Sequence, residues 1–334
     1  QHKKNPVNWQ VWSKEVLDVA KNKKIPILLS VGYASCHWCH VMAHESFEDK
    51  KTAELMNKYF LNIKVDREER PDIDYIFQSS FQLFNQSGGG WPLTIFLDEN
   101  AIPFMAGTYF PKIPSHGLPS FKEIILKVGK TYGQQREEII KQSPVISKSL
   151  ELRKSSVLDQ DLENILKNTI VNLDKEKGGY KGAPKFPIFN IYDVLLYFFT
   201  KTKNVNYKEP IELILKQLCS QGIYDHVEGG LSRYTVDENW LIPHFEKMLY
   251  DNAQFVLLIS KFLKINKNDY FEKKLIQTIE FINNNFLNTK SNLLGSAYDA
   301  DSDGEEGKYY VFTYNELKDI KDIELYFDVS ANGN

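Results

Sequence analysis

Two hydrophobic periods alternate along the first 140 or so residues. Trp9, Trp12, Val16, Val19 and Ala20 recur at helical spacing, which predicts an amphipathic helix over about 8–22. The run Ile25-Pro26-Ile27-Leu28-Leu29-Ser30-Val31 is almost continuously apolar, the pattern of a strand buried on both faces. Helical sequence follows through about Tyr59, and 61–65 reads as a second strand. A helix starting near Pro71, a favourable first-turn residue, runs to about Asn85. Gly88-Gly89-Gly90 then breaks the chain. Residues 93–97 and 103–107 are strand-like and are joined by Asp98-Glu99-Asn100, short enough for an antiparallel hairpin. A last helix is expected over about 119–141. The order α-β-α-β-α-β-β-α describes a mixed sheet covered by helices.

Past this point the pattern changes. Residues 143–161 are polar, contain Pro144 and read as helix plus linker. Helical periodicity then recurs at about 160–173, 190–201, 209–221, 244–264, 269–287 and 314–321, separated by Gly-rich, aromatic and acidic loops. Tyr309-Tyr310-Val311-Phe312 is the best strand signal. The helices form pairs whose sequences show no self-similarity. The expected fold class is α/β plus all-α: an α/β domain at 1–142, a linker at 143–158 and a helical domain at 159–334. A chain of 334 residues accommodates two domains.

Composition narrows the function classes. Apolar residues at 42% and charged residues at 25% are ordinary for a globular protein. The formal net charge of −3, with no Lys/Arg run, argues against a nucleic-acid or anionic-membrane partner. No apolar run approaches the ~20 residues of a membrane span, and the N-terminal Gln1-His2-Lys3-Lys4-Asn5-Pro6 lacks a signal-peptide core. The expected location is cytoplasmic, although a chain starting without Met is compatible with removal of an upstream segment. The 21 Phe and 18 Tyr suit either a large helical core or a carbohydrate-type pocket.

Three cysteines, Cys36, Cys39 and Cys219, are too few for a disulfide-stapled scaffold, so Cys36-His37-Trp38-Cys39 reads as redox or metal chemistry. Placed after a buried strand and opening a helix, Cys36 meets the unpaired amides and dipole of a helix start, which favour the thiolate. Cys36 is then the attacking thiolate and Cys39 the resolving thiol, with His37 adding positive charge. Three alternatives remain open: haem attachment, since Cys36–His40 also fits CxxCH; zinc, with Cys36, Cys39, His40 and His44 as ligands; and an inactive dithiol on a structural domain. No cofactor is expected.

Longer motifs carry a resemblance. Asn5-Pro6-Val7-Asn8-Trp9, Cys36-His37-Trp38-Cys39-His40-Val41-Met42, Glu45-Ser46-Phe47, Val65-Asp66-Arg67-Glu68-Glu69-Arg70-Pro71-Asp72 and Gly88-Gly89-Gly90-Trp91-Pro92 occur in the first domain. Gly182-Ala183-Pro184-Lys185-Phe186-Pro187, His244-Phe245-Glu246-Lys247-Met248-Leu249-Tyr250-Asp251-Asn252 and Ala297-Tyr298-Asp299-Ala300-Asp301-Ser302 occur in the second. Together they resemble the spermatogenesis-associated protein 20 family and its bacterial YyaL-type relatives. The resemblance implies a thioredoxin-like domain of the DUF255 type, followed by a six-hairpin (α/α) toroid of the sugar-enzyme kind. It also implies a cis bond at Trp91-Pro92 beside the dithiol, which places Pro92 with Cys36, Cys39 and His37 as catalytic candidates. Members of that family are much longer, so the toroid is expected to be incomplete: a fragment, or a part completed by a partner or second copy.

In such a toroid the loops gather at one end. Asp225, Glu228 and Arg233, the helix start His244-Phe245-Glu246, and Asp251 offer acid, base and hydrogen-bonding groups there. Two carboxylates suit glycoside hydrolysis, and His244 or His226 suits proton abstraction at a sugar carbon; pairing within the helical bundle is the structural alternative. Asp299-Ala300-Asp301-Ser302-Asp303-Gly304 begins like a calcium loop, but its twelfth position is Tyr310 where that loop needs Glu. Asp299 and Asp301 are therefore taken as acidic pocket residues. The expected function is a thiol–disulfide oxidoreductase with a sugar-enzyme-like helical domain, acting on a protein disulfide. The alternatives are a carbohydrate isomerase or hydrolase working through the helical domain, and a binding protein without turnover.

Overall fold

The computed structural model describes residues 2–115, 117–151, 162–325, 327 and 329–331. The chain divides into two compact units, 1–158 and 159–334.

In the first unit a four-stranded sheet has the order β2-β1-β3-β4: β1 (Ile27–Gly32), β2 (Leu61–Asp66), β3 (Leu93–Leu97) and β4 (Pro103–Gly107). β1 runs parallel to β2 and antiparallel to β3, and β3 turns back into β4. Every residue of β1 is buried, as its apolar run predicts for a central strand. Period-two alternation splits its side chains between two cores. Leu28 joins Met42, Phe47, Phe96 and Phe121 on one face, whereas Ile27, Leu29 and Val31 join Ile63, Phe77 and Ile95 on the other. Each such side chain contributes about 1.5–3 kcal/mol on burial. The crossover from β1 to β2 consists of α2 (His37–Met42), a wider π-helical turn (Ala43–Phe47) and α3 (Lys50–Tyr59); α1 (Lys14–Lys23) precedes the sheet and α4 (Pro71–Asn85) follows β2.

Three boundaries differ from the periodicity. The first helix begins at Lys14, not near residue 8, because Ser13 caps it by accepting the Val16 amide. Gln10 instead bridges Ile63 in parallel, extending the sheet beyond β2. The helix α5 (Phe121–Leu150) starts at a capping box of Ser120 and Glu123 and passes a kink at Gln135. It includes 143–150, which the polar composition assigned to the linker. Pro144 is tolerated there, and the Ser143 hydroxyl beside it donates to buried Asp98. The remainder of the expected linker, 152–158, lies outside the described residues.

The second unit is a helical domain. It contains α6 (Leu162–Asn172), α7 (Phe189–Thr202), α8 (Val205–Ser220), α9 (Leu249–Leu263), α10 (Asp269–Phe281) and the short α11 (Tyr314–Leu317). α7 packs on α8 and α9, and α10 on α8 and α9, around Tyr192, Leu195, Ile211, Leu215, Phe255 and Phe262. Tyr309–Phe312 is not a strand: Tyr309 and Tyr310 lie in a turn, and the Tyr310 ring stacks on Phe245. Residues 244–248 are extended, so α9 begins at Leu249, later than the sequence suggests. Among the described residues no helix is long and apolar enough to cross a membrane.

A repeat that the helices conceal emerges in their loops. Asp174-Lys175-Glu176-Lys177-Gly178-Gly179 and Asp225-His226-Val227-Glu228-Gly229-Gly230 share an Asp-x-x-x-Gly-Gly pattern, about 50 residues apart. In each, one carboxylate oxygen accepts two backbone amides of its own turn. The other receives a buried ammonium, Lys185 at 2.9 Å from Asp174 and Lys247 at 2.7 Å from Asp225. Each lysine also lies over aromatic rings, Trp240 for Lys185, and Phe281 and Tyr310 for Lys247. Gly179 (φ +70°) and Gly230 (φ +82°) adopt left-handed backbone, and a Cβ there would meet Trp240 at 2.9 Å and Phe281 at 2.5 Å. Burial alone would raise the Asp174 carboxyl; the Lys177 amide, the Lys185 ammonium and the Glu176 amide outweigh it and hold the group at about 2.

Removing one partner of such a pair strands a buried charge. Lys185→Met is expected to cost about 3–5 kcal/mol of unfolding free energy. Joint replacement, Lys185→Met with Asp174→Asn, should recover much of that loss, as measured by denaturant unfolding of both variants beside the parent chain.

Candidate functional site

β1 ends at Gly32, and the chain reaches Cys36 through Tyr33-Ala34-Ser35. Cys36 has extended backbone and caps α2; its Sγ accepts the Cys39 amide at 3.2 Å. It thus occupies the start of a helical segment that continues through the π-helical turn to Phe47. Cys36 and Cys39 are joined as a disulfide and are 3% and 4% exposed. The two residues between them face differently: Trp38 is largely exposed and packs against Tyr109, with ring centroids 5.0 Å apart. The Tyr109 hydroxyl in turn donates to Glu45 at 2.7 Å. His37 lies against Trp38. His40 bonds the Ala34 carbonyl and His44 bonds Glu48, so the histidines weighed as zinc ligands have other partners. Cys219 is buried in the helical core, its thiol pushed up to about 12 by burial, which leaves it inert as a nucleophile.

The wall behind the disulfide comes from β1 and its neighbours. The antiparallel register ends at Val31↔Leu93, so Pro92, whose bond to Trp91 is cis, follows opposite Gly32. A Cβ on Gly32 would lie 2.8 Å from Cys39 Sγ and 3.6 Å from Lys64 Nζ. A cavity of about 140 Å3 opens there, lined by Cys39, Gly32, Tyr33, Lys64, Asp66 and His2 among others. Arg67 leaves β2 and lies over both the Tyr33 ring (4.9 Å) and the Trp91 ring (4.1 Å), while the Trp91 indole donates to Asp74. Sequence reasoning assigned no role to Gly32, Lys64, Asp66 or Arg67. Asp66 and Arg67 stand in one of the motifs that carry the resemblance, which was the available signal; Lys64, one residue before that motif, had none.

The residues expected to form the helical pocket separate into two groups. Asp225 is committed to Lys247 and its own turn, and Glu228 accepts the Tyr309 hydroxyl on the surface. His226 is held between the Gln221 carbonyl and the Lys274 ammonium; burial and that ammonium lower its pKa. Asp299 accepts the Asp301 amide, and Asp301 pairs with Glu306 across a short hairpin. The other group converges. Arg233, half-buried, pairs with the buried Glu246 at 2.8 Å, and His244 lies 3.7 Å from Glu246 and 2.6 Å from Glu306. Phe186, Tyr234 and His244 form a continuous stack. Arg233, Asp251, Tyr250 and Phe186 line a cleft of about 430 Å3. Glu306 was missed because the acidic loop that carries it was read for Asp299 and Asp301, and its partner His244 lies about 60 residues upstream.

Residues 1–151 match a family model described as a protein of unknown function, DUF255. The chain is 35% identical to spermatogenesis-associated protein 20 of Homo sapiens over 96% of its own length, and it spans 43% of that relative. Among solved structures, a cellobiose 2-epimerase from Spirochaeta thermophila is similar at 16% identity and a TM-score of 0.35, with 43% of this chain and 41% of that one covered. A protein described as a DsbH oxidoreductase is similar at 16% identity and a TM-score of 0.29, covering 37% of this chain and 83% of that one.

The approach of Gly32 to Cys39 is closer than any side chain allows. Gly32→Ala is expected to destabilise the first unit by about 1–3 kcal/mol through overpacking, read as a lower midpoint in denaturant. Unchanged stability would show that the wall behind the disulfide yields.

Proposed function

The chain belongs to the family of spermatogenesis-associated protein 20, and from that premise we propose that its first unit exchanges electrons with disulfide substrates through Cys36 and Cys39. The observation that carries this reading is the position of Cys36 at the start of a helical segment, its sulfur receiving the Cys39 amide. Aligned peptide dipoles and that donor favour a thiolate on Cys36 once the pair is reduced. The Cys36 thiolate attacks one sulfur of the substrate disulfide; that S–S bond breaks, and the departing thiolate takes a proton from water. Cys39 then attacks Cys36 Sγ and expels the second substrate thiol, leaving the Cys36–Cys39 disulfide. Two electrons pass from the protein dithiol to the substrate, and a thiol or dithiol reductant restores the cycle. Pro92, just before β3, and His37, on the first turn of α2, are the further residues this reading draws on.

Cys36→Ser is expected to abolish reduction of a test disulfide with the fold intact. Cys39→Ser should instead trap a mixed disulfide on Cys36, visible as a mass increase that a thiol reverses. Wild-type protein showing no exchange at any redox poise would overturn the proposal.

A second reading concerns the helical unit and is favoured by its cleft. The aromatic stack of Phe186, Tyr234 and His244 offers an apolar platform, and Arg233 and Asp251 supply polar groups at its rim. An apolar surface with a few converging polar groups suits a sugar ring. On this reading a sugar raises the unfolding temperature of the chain, and Asp251→Asn removes the effect without removing the fold. A broad sugar panel that gives no shift with the full-length relative would count against it.

A further inference from the structure

The Lys64 ammonium turns towards the disulfide wall: its Nζ and Cys39 Sγ lie within 3.6 Å and 2.8 Å of a single point, the position a Cβ would take on Gly32. Both line the cavity of about 140 Å3 behind the disulfide, so one water molecule suffices to link them. The ammonium's hydrogen bond goes to a hydroxyl, Ser30 Oγ at 2.9 Å, and not to a carboxylate. The rings of Phe47 and Trp9 lie 5.5 Å and 5.8 Å from it. The remaining titratable groups that face it are Asp66 from β2 itself, His2 from the N-terminal segment and Cys39 from α2.

We propose that Lys64, as the neutral amine, accepts the proton of the resolving thiol Cys39 through water in this cavity. The inference rests on the redox reading of the dithiol. In the mixed disulfide, the Cys39 proton passes to Lys64 Nζ, which becomes ammonium. The Cys39 thiolate then forms the bond to Cys36 Sγ, and the bond from Cys36 to the substrate sulfur breaks with its electron pair on the departing thiolate. In the reverse direction the ammonium returns the proton as Cys39 is released. Burial pushes the Lys64 ammonium down to about 8, with Asp66 opposing the shift, which brings it near an ordinary thiol and makes transfer between them nearly isoenergetic. His2 is pushed down to about 4 by burial and then by the Lys64 charge; it is neutral at physiological pH and does not compete for the role of cation.

The test is stopped-flow reaction of the reduced chain with an aryl disulfide whose thiolate is coloured, which separates the two cysteines. The first release reports attack by Cys36, and the second reports attack by Cys39. Lys64→Met and Lys64→Arg, the latter keeping a charge that does not deprotonate, should leave the first release unchanged and slow the second about 10- to 100-fold near neutral pH. The second release in the parent chain should rise with pH and level off above about 8, whereas in both variants the rise moves to the ionisation of the thiol itself. Absence of the first release overturns the redox reading and this inference with it. A normal first release, with a second release in either variant matching the parent in rate and pH profile, overturns the role of Lys64 alone.

Discussion

Enclosure of β1 on both faces and both edges is the constraint on which the first unit depends. With β2 hydrogen-bonded on one side, β3 on the other, and a core on each face, the strand has no freedom to slip, because a one-residue shift would exchange its two apolar sets. Its last residue is therefore fixed, and so is the direction in which the chain leaves it. Gly32, Cys36, Cys39 and Pro92 hold their places as consequences of that strand end, and Lys64 and Asp66 do so through the parallel register with β2.

Much of this architecture was legible from the residues. A continuous apolar run, a CxxC immediately after it and a proline-started helix fixed the elements near the dithiol, since each signal is local and strong. The misplaced start of the first helix has a physical cause. Trp9 and Trp12 repeat at helical spacing, yet Ser13 caps a later start and the preceding residues gain more by pairing with the sheet edge. The extension of α5 through Pro144 reflects tertiary support that periodicity does not register. Lys64 was invisible for a different reason: an isolated lysine in a strand normally points to water, and here the register that sets it beside Ser30 turns it inward.

The helical unit was legible in outline and opaque in its charges. Helix positions follow from the 3.6-residue period, but whether an acidic residue serves a ligand or its own turn depends on partners far along the chain. Asp225 looked like a pocket residue, and its carboxylate is engaged by Lys247, buried and 22 residues downstream. The same holds for Asp174 with Lys185. Arg233, His244 and Glu246, read from separate segments of the sequence, lie together in the structure with Glu306 as a fourth member.

These two lysine–aspartate clamps also limit how the sequence can drift. Since either side chain alone is a liability in the interior, a lineage that loses one must pass through a poorly folded intermediate unless the other changes with it. Substitutions at 174 and 185, and at 225 and 247, should therefore move together across related chains, each pair behaving as a single heritable character. Glu228, whose partner is the exposed Tyr309 hydroxyl and not a buried ammonium, is under no such constraint.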